Sequence, residues 1–389
     1  MTRPTASRRG FLGASLGMSA LAFAAPTRLL ARENAAEIAI HNATATNPLG
    51  DPPGVYLNYN ELPEGPCPAA RKAMADAIPH AGRYSHNMAD EMQKVLAQDL
   101  GISPDWLLIY PGSGSLLKLA PHAFTSNTRP LVIASPGYED CVRGAKSAGS
   151  PIIEVPLRAD GAHDLAAMLQ KPAGLVYICN PNNPTGTITP HDQLVQAIES
   201  VPTDTIVIVD EAYIHFSNQP SVIPLIASHP NLLVMRTFSK VYGMAGVRCG
   251  FAVGRPEVLA SLKQYAGDPE LSVLAAVGCT ASLKQPNLVA ERKLLNAKRR
   301  DKTIQWLTQA GFTCMPSETN FFMVDVKRPT QEVVNGLLQK GVHVSNRWKM
   351  LPTTLRVSIG TEEDMAAFRQ AFAEVMGIQT KGKALSPAA

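Results

Sequence analysis

Short, predominantly apolar runs separated by amphipathic stretches dominate the middle of this chain. The runs lie at 107–110, 131–134, 152–155, 175–179, 206–209, 232–237 and 250–253. Their length and β-branched content read as strands. Apolar residues recur at helical spacing between most of them, at 115–124, 137–148, 164–170 and 191–200. Two further helical patterns, at 67–79 and 87–100, come before the first strand. Strands apolar on both faces, joined by helical crossovers, predict an α/β fold whose large sheet is mostly parallel, seven-stranded and covered on both sides.

The pattern changes after about residue 263. A long helical region at roughly 271–310 precedes a strand at 321–326, a helix at 330–340, strands near 342–344 and 355–359, and a closing helix at 361–376. That order suggests a smaller α+β domain. The expected organisation is a leader at 1–31, an N-terminal arm at 32–60, a large domain at 61–262, a small C-terminal domain at 263–378 and a disordered polar tail at 379–389.

Composition agrees with a packed soluble protein, with 45% hydrophobic and 17% charged residues in a chain of 389. The formal charge of +4 is local: Arg3, Arg8, Arg9 and Arg28 lie in the first 31 residues, where there is no Asp or Glu. Without them the net charge is zero, so nothing points to nucleic acid or an anionic membrane surface. Ser7-Arg8-Arg9-Gly10-Phe11-Leu12, the Gly/Ala-rich run to Ala25 and the small residues Ala22-Phe23-Ala24 have the grammar of an export signal. The paired arginines resemble a twin-arginine signal, which implies folded export to the periplasm and no stable membrane association after cleavage. Six scattered cysteines (67, 141, 179, 249, 279 and 314) show neither CxxC nor metal-site spacing.

Ligands of open α/β sheets bind at the carboxyl ends of the strands, and the unusual residues cluster there. Gly112-Ser113-Gly114-Ser115 stands between a strand and a helix. It reads as a glycine turn with an N-cap serine, or as a phosphate cradle. No GxGxxG follows any strand, which excludes the dinucleotide fingerprint. Asn183-Pro-Thr-Gly186 follows another strand. Asp210 ends the run 206–209, where a buried charge needs a partner: a helix N-terminus, or the protonated nitrogen of a ring. Tyr213 lies three residues on. The segment from Thr237-Phe-Ser239-Lys240 to Arg248 carries an amine nucleophile and a cationic clamp in apolar, glycine-rich surroundings, where an exposed surface lysine is a poor alternative.

Taken in order, these motifs resemble the class I/II aminotransferases of pyridoxal phosphate (PLP) fold type I, and most of all the histidinol-phosphate aminotransferases. The likeness runs over about 57–376. It includes Leu57-Asn-Tyr-Asn-Glu61, Tyr84, the Gly/Ser turn, Pro136-Gly-Tyr138, Asn183-Pro-Thr-Gly186, Asp210-Glu-Ala-Tyr213, Ser239-Lys240, Arg248 and Leu355-Arg356-Val-Ser-Ile-Gly360. It implies that Lys240 forms a Schiff base with PLP and shuttles the proton. It further implies that Asp210 pairs with the pyridine nitrogen, that Asn183 and Tyr213 hydrogen-bond the phenolic oxygen, and that Tyr138 stacks on the ring. Ser113, Gly114, Ser115, Thr237, Ser239 and Arg248 would cradle the phosphate, joined by Tyr84 from a second subunit of a homodimer. Arg356 would bind the substrate α-carboxylate beside Asn183, with Arg347 toward the side-chain end.

The implied reaction exchanges an amino group between an amino acid or related amine and a 2-oxo acid. The phosphate turn lacks the acidic residue usual in that subgroup. The export signal favours a free amino acid or secondary metabolite over histidinol phosphate. Two alternatives stay open on sequence alone: PLP-dependent decarboxylation, or a non-catalytic periplasmic protein that binds PLP or amino acids.

Overall fold

All seven apolar runs are strands of one sheet. The computed structural model describes residues 51–267, 270–346 and 348–378. The expected leader (1–31), the first part of the arm, the tail (379–389) and Arg347 lie outside the described residues. The sheet comprises β2 (Leu107–Tyr110), β3 (Leu131–Ser135), β4 (Ile152–Pro156), β5 (Leu175–Cys179), β6 (Ile206–Asp210), β7 (Leu232–Thr237) and β8 (Gly250–Val253). Their spatial order is β2-β8-β7-β6-β5-β3-β4, parallel except for β8, which is antiparallel to both neighbours. Alternation splits each strand between two cores. Val176, Ile178, Val207, Val209 and Val234 face one, while Leu175, Tyr177, Ile208, Leu233 and Met235 face the other. Two buried faces explain why the central runs are predominantly apolar.

The strand directions place the site. The carboxyl ends of β2, β3, β5, β6 and β7 share one edge, and because β8 runs the other way its amino end lies there too. Gly250 pairs with both Tyr110 and Thr237, so Arg248, two residues earlier, lands beside the turn after β2 and the loop after β7. A Cβ at Gly250 would sit 2.2 Å from the Ser113 amide nitrogen, so glycine is what permits this approach.

A second sheet, β12-β10-β9, is antiparallel and consists of β9 (Thr313–Cys314), β10 (Phe321–Asp325) and β12 (Thr354–Ser358). It has its own core of Phe322, Val324, Leu355, Val357, Phe368 and Phe372. The chain before it differs from expectation in two places. The helical region expected at 271–310 is two helices, Val273–Leu283 and Leu288–Gln309, interrupted around Pro286, which cannot donate to the helix ladder. The end of the arm also contributes a two-residue strand, β1 (Val55–Tyr56), parallel to β11 (Val342–His343). Leu57 joins the core of the second sheet, and the next residues are drawn across the edge of the first.

Candidate active site

A cavity of about 490 Å³ opens at the shared edge. It is lined by Ser113, Gly114, Ser115, Tyr138, Asn183, Asp210, Tyr213, Thr237, Ser239, Lys240, Arg248 and Arg356. The structure thus gathers twelve of the residues singled out from sequence. Tyr84 does not line it; it is 80% exposed on the same chain. Arg347 lies outside the described residues.

The helix Ser113–Phe124 starts at this cavity, and among the described residues no side chain caps it. The serine N-cap reading of the turn is therefore not what forms; Ser115 Oγ instead contacts the Pro111 carbonyl at 3.4 Å. Gly112 has φ +88°, and a Cβ there would lie 2.2 Å from Arg248 Nη2. Arg248 is steadied by the Ala245 carbonyl at 2.8 Å and reaches Ser239 Oγ at 3.5 Å. Thr237 Oγ1 accepts the Ser239 amide at 3.0 Å. Uncapped amides, two hydroxyls and a guanidinium converge as an anion site requires.

Asp210 is 3% exposed and makes no ion pair among the described residues. Its Oδ2 accepts from the Tyr177 hydroxyl at 2.8 Å and its Oδ1 from the Ala212 amide at 3.1 Å. It caps no helix, since the next helical turn, Ile214–Phe216, begins beyond Tyr213. Burial raises its pKa to about 6, opposed by those two hydrogen bonds. The carboxylate is thus placed to receive a cation, with no direct ion-pair partner among the described residues.

Lys240 is partly buried, and its ammonium donates to the carbonyls of Asn60 (3.1 Å) and Tyr59 (3.4 Å). Burial lowers its pKa to about 8, helped by the Arg356 and Arg248 charges and opposed by Glu61 and Asp210. That shift frees the amine lone pair near neutral pH. Arg356 lies between the rings of Trp348 (4.8 Å) and Phe321 (5.4 Å), a cation–π arrangement that fixes the guanidinium plane. It donates to Asn183 Oδ1 at 2.6 Å and to the Asn58 carbonyl at 2.8 Å. Tyr138 also lines the cavity, its hydroxyl donating to buried Asp140 at 2.8 Å.

Residues 52–372 match the family described as aminotransferase class I and II. The chain belongs to that family. It is 36% identical over 329 residues to a histidinol-phosphate aminotransferase of Symbiobacterium thermophilum, covering 83% of this chain and 91% of that protein. A Bacillus subtilis protein of the same name is 32% identical with the same coverage. The crystal structure of histidinol-phosphate aminotransferase from Sinorhizobium meliloti in complex with pyridoxal 5′-phosphate superimposes with a TM-score of 0.78. It is 26% identical, and the match covers 83% of this chain and 91% of that one.

This aminotransferase is therefore a PLP-dependent transaminase. Its residues fit the cofactor: a helix N-terminus with no side-chain cap among the described residues, beside Arg248, for the phosphate; buried Asp210, without an ion pair among those residues, for a protonated ring nitrogen; and Lys240 for the aldehyde carbon. When bound, PLP supplies the electron sink, and the protein supplies orientation and proton handling.

Five neighbours carried no role in the sequence reading. Tyr177 sits mid-strand in an apolar run; Asp140 opens a helix; Trp348 lies in a loop. Asn60 and Ser358 fall inside motifs that carried the resemblance, yet only the fold brings them to Tyr213. Left-handed φ at Asn60 (+55°) has no local sequence signal beyond asparagine's tolerance for it.

Proposed function

We propose that this aminotransferase works in the periplasm as a homodimer, exchanging an amino group between a free amino acid or related amine and a 2-oxo acid. The observation that carries the substrate class is Arg356. Its guanidinium is fixed by Asn183, Asn58 and two aromatic rings at the wall of the cavity that holds Lys240, a setting suited to a bidentate grip on an α-carboxylate. Asn183 borders the same subsite. Arg347, next to Trp348 in sequence, is assigned to the side-chain end of the substrate.

Support for export comes from Ser7-Arg8-Arg9-Gly10-Phe11-Leu12 and the apolar run after it, all ahead of the family match that begins at residue 52. The twin-arginine machinery carries folded proteins, so PLP can be loaded before transport. The named relatives are histidinol-phosphate aminotransferases; the export signal favours a free amino acid or related amine as the substrate of this chain. A second copy of the chain is assigned to cover exposed Tyr84, with Ile78 and Met88 nearby and also exposed, and to bring Tyr84 of the partner subunit to the cofactor phosphate.

Mixing PLP-loaded protein with a panel of amino acids tests the reaction. Transamination gives the pyridoxamine spectrum and one equivalent of 2-oxo acid; CO₂ release without oxo acid would establish decarboxylation instead. Replacing Arg8 and Arg9 with Lys should strand the protein in the cytoplasm, and a normal periplasmic yield excludes the proposed route.

A further inference from the structure

Tyr213 has one proton and two lone pairs to place, and two side-chain amides reach its hydroxyl. Its hydroxyl oxygen lies 3.0 Å from Asn60 Nδ2 and 3.3 Å from Asn183 Nδ2. The orientation of both amides decides where the proton goes. Arg356 can only donate, so the Asn183 atom 2.6 Å from it must be the carbonyl oxygen, which turns the Asn183 NH₂ toward Tyr213.

Ser358 performs the same service for Asn60. Its Oγ accepts the Asn60 backbone N–H at 2.8 Å and donates its own proton to Asn60 Oδ1 at 3.0 Å. Reversing the Asn60 amide would leave the Ser358 proton without an acceptor among the described residues, at a position 2% exposed. The Asn60 NH₂ therefore also faces Tyr213. With both lone pairs occupied, the phenol is left as a donor, and its proton points into the cavity.

Arg356 and Ser358 are two residues apart on β12, hence on one face of that strand. We infer that Asn60 and Ser358 are positioning residues that commit Tyr213 to donate its proton toward the cofactor's phenolic oxygen. Asn60 reaches the place through its left-handed φ and through its carbonyl, which accepts from Lys240 (3.1 Å) and Asn320 Nδ2 (2.9 Å). The same residue thus holds the resting lysine and sets the polarity of the phenol.

The inference rests on Tyr213 facing the phenolic oxygen, and the test separates the two. The readout is the pH midpoint of the bound cofactor's absorbance in the PLP-loaded protein, with a thermal melt of each variant as a fold control. Tyr213→Phe removes the donor, so the phenolic oxygen holds its charge less well and the midpoint rises. Asn60→Gly keeps the left-handed backbone and deletes the amide. The expected rise is about 0.7 of a pH unit, the roughly fivefold change in proton affinity that one hydrogen bond carries. On the Tyr213→Phe background Asn60→Gly should add nothing, because the two act through one proton. Ser358→Ala, which frees the Asn60 amide to reverse, should shift the midpoint in the same direction and serves if Asn60→Gly does not hold cofactor. An unmoved midpoint in Tyr213→Phe overturns the placement of Tyr213, and the inference with it. A shift in Tyr213→Phe with none in Asn60→Gly or Ser358→Ala, or shifts that simply add, overturns the relay.

Discussion

Replacing Asp210 with Asn should stabilise the cofactor-free protein and impair the cofactor-loaded one. The carboxylate is buried, unpaired among the described residues and held by only two hydrogen bonds, from Tyr177 and Ala212. Its folded pKa is about 6, against an ordinary value of 3.8. A group whose pKa is raised on folding favours the fold while protonated and loses that contribution as pH climbs from the unfolded value through the folded one. The loss therefore runs from about pH 4 to about pH 6 and is complete near pH 7. Two units at about 1.4 kcal/mol each come to about 3 kcal/mol carried as strain by the apoprotein at neutral pH. Asn keeps the shape, can accept from one neighbour and donate to the Tyr177 oxygen, and has no charge to bury. Thermal melts of apo wild type and Asp210→Asn at pH 4.5 and 7.5 read the effect directly. The variant should be the more stable at pH 7.5, and its advantage should shrink sharply at pH 4.5. Adding PLP should reverse the order, since only a carboxylate pairs with a protonated ring nitrogen. An apo variant no more stable than wild type at pH 7.5, or an advantage independent of pH, would mean that the buried Asp210 charge does not strain the apoprotein.

Two further substitutions probe the scaffold around the cavity. Gly112→Ala places a methyl 2.2 Å from Arg248 Nη2 at a positive φ, so PLP titration should show affinity reduced by about tenfold or more, and the strained backbone should also destabilise the apoprotein by about 1–3 kcal/mol in a thermal melt. Glu211, beside Asp210, holds buried Arg236 at 2.7 Å and also accepts from Ser221 Oγ and the Val222 amide, both at 2.8 Å. Glu211→Gln leaves the Arg236 charge uncompensated and should cost about 3–5 kcal/mol in denaturant unfolding. Arg236→Met added to it should recover much of that; no recovery would mean the loss comes from the loop contacts instead.

Much of this architecture was legible in the sequence for one reason: a strand buried on both faces is apolar at nearly every position. The runs around Val207 and Val176 therefore announced themselves, and so did the polar residues that end them. Asp210, Lys240 and Arg356 stood out because each is a charge set against an apolar strand. What stayed hidden depends on pairing between distant segments. Val55–Tyr56 is too short to carry a period, and its partner lies almost 290 residues away. Asn60 acquires its role only because that pairing draws it across to Ser358 and Tyr213. Tyr177 reads as one more apolar strand residue, and only the register of β5 beside β6 sets its hydroxyl against Asp210. The region 271–310 shows helical spacing on both sides of Pro286, and the structure divides it there into two helices.

We assign Lys240 as the lysine that joins PLP. Borohydride reduction of the PLP-loaded protein, followed by proteolysis and mass spectrometry, tests it most directly. The result predicted is a single phosphopyridoxyl-modified peptide containing Lys240, and no stable adduct in Lys240→Ala. A reduced adduct on any other lysine of the wild type, or undiminished labelling of Lys240→Ala, would contradict it.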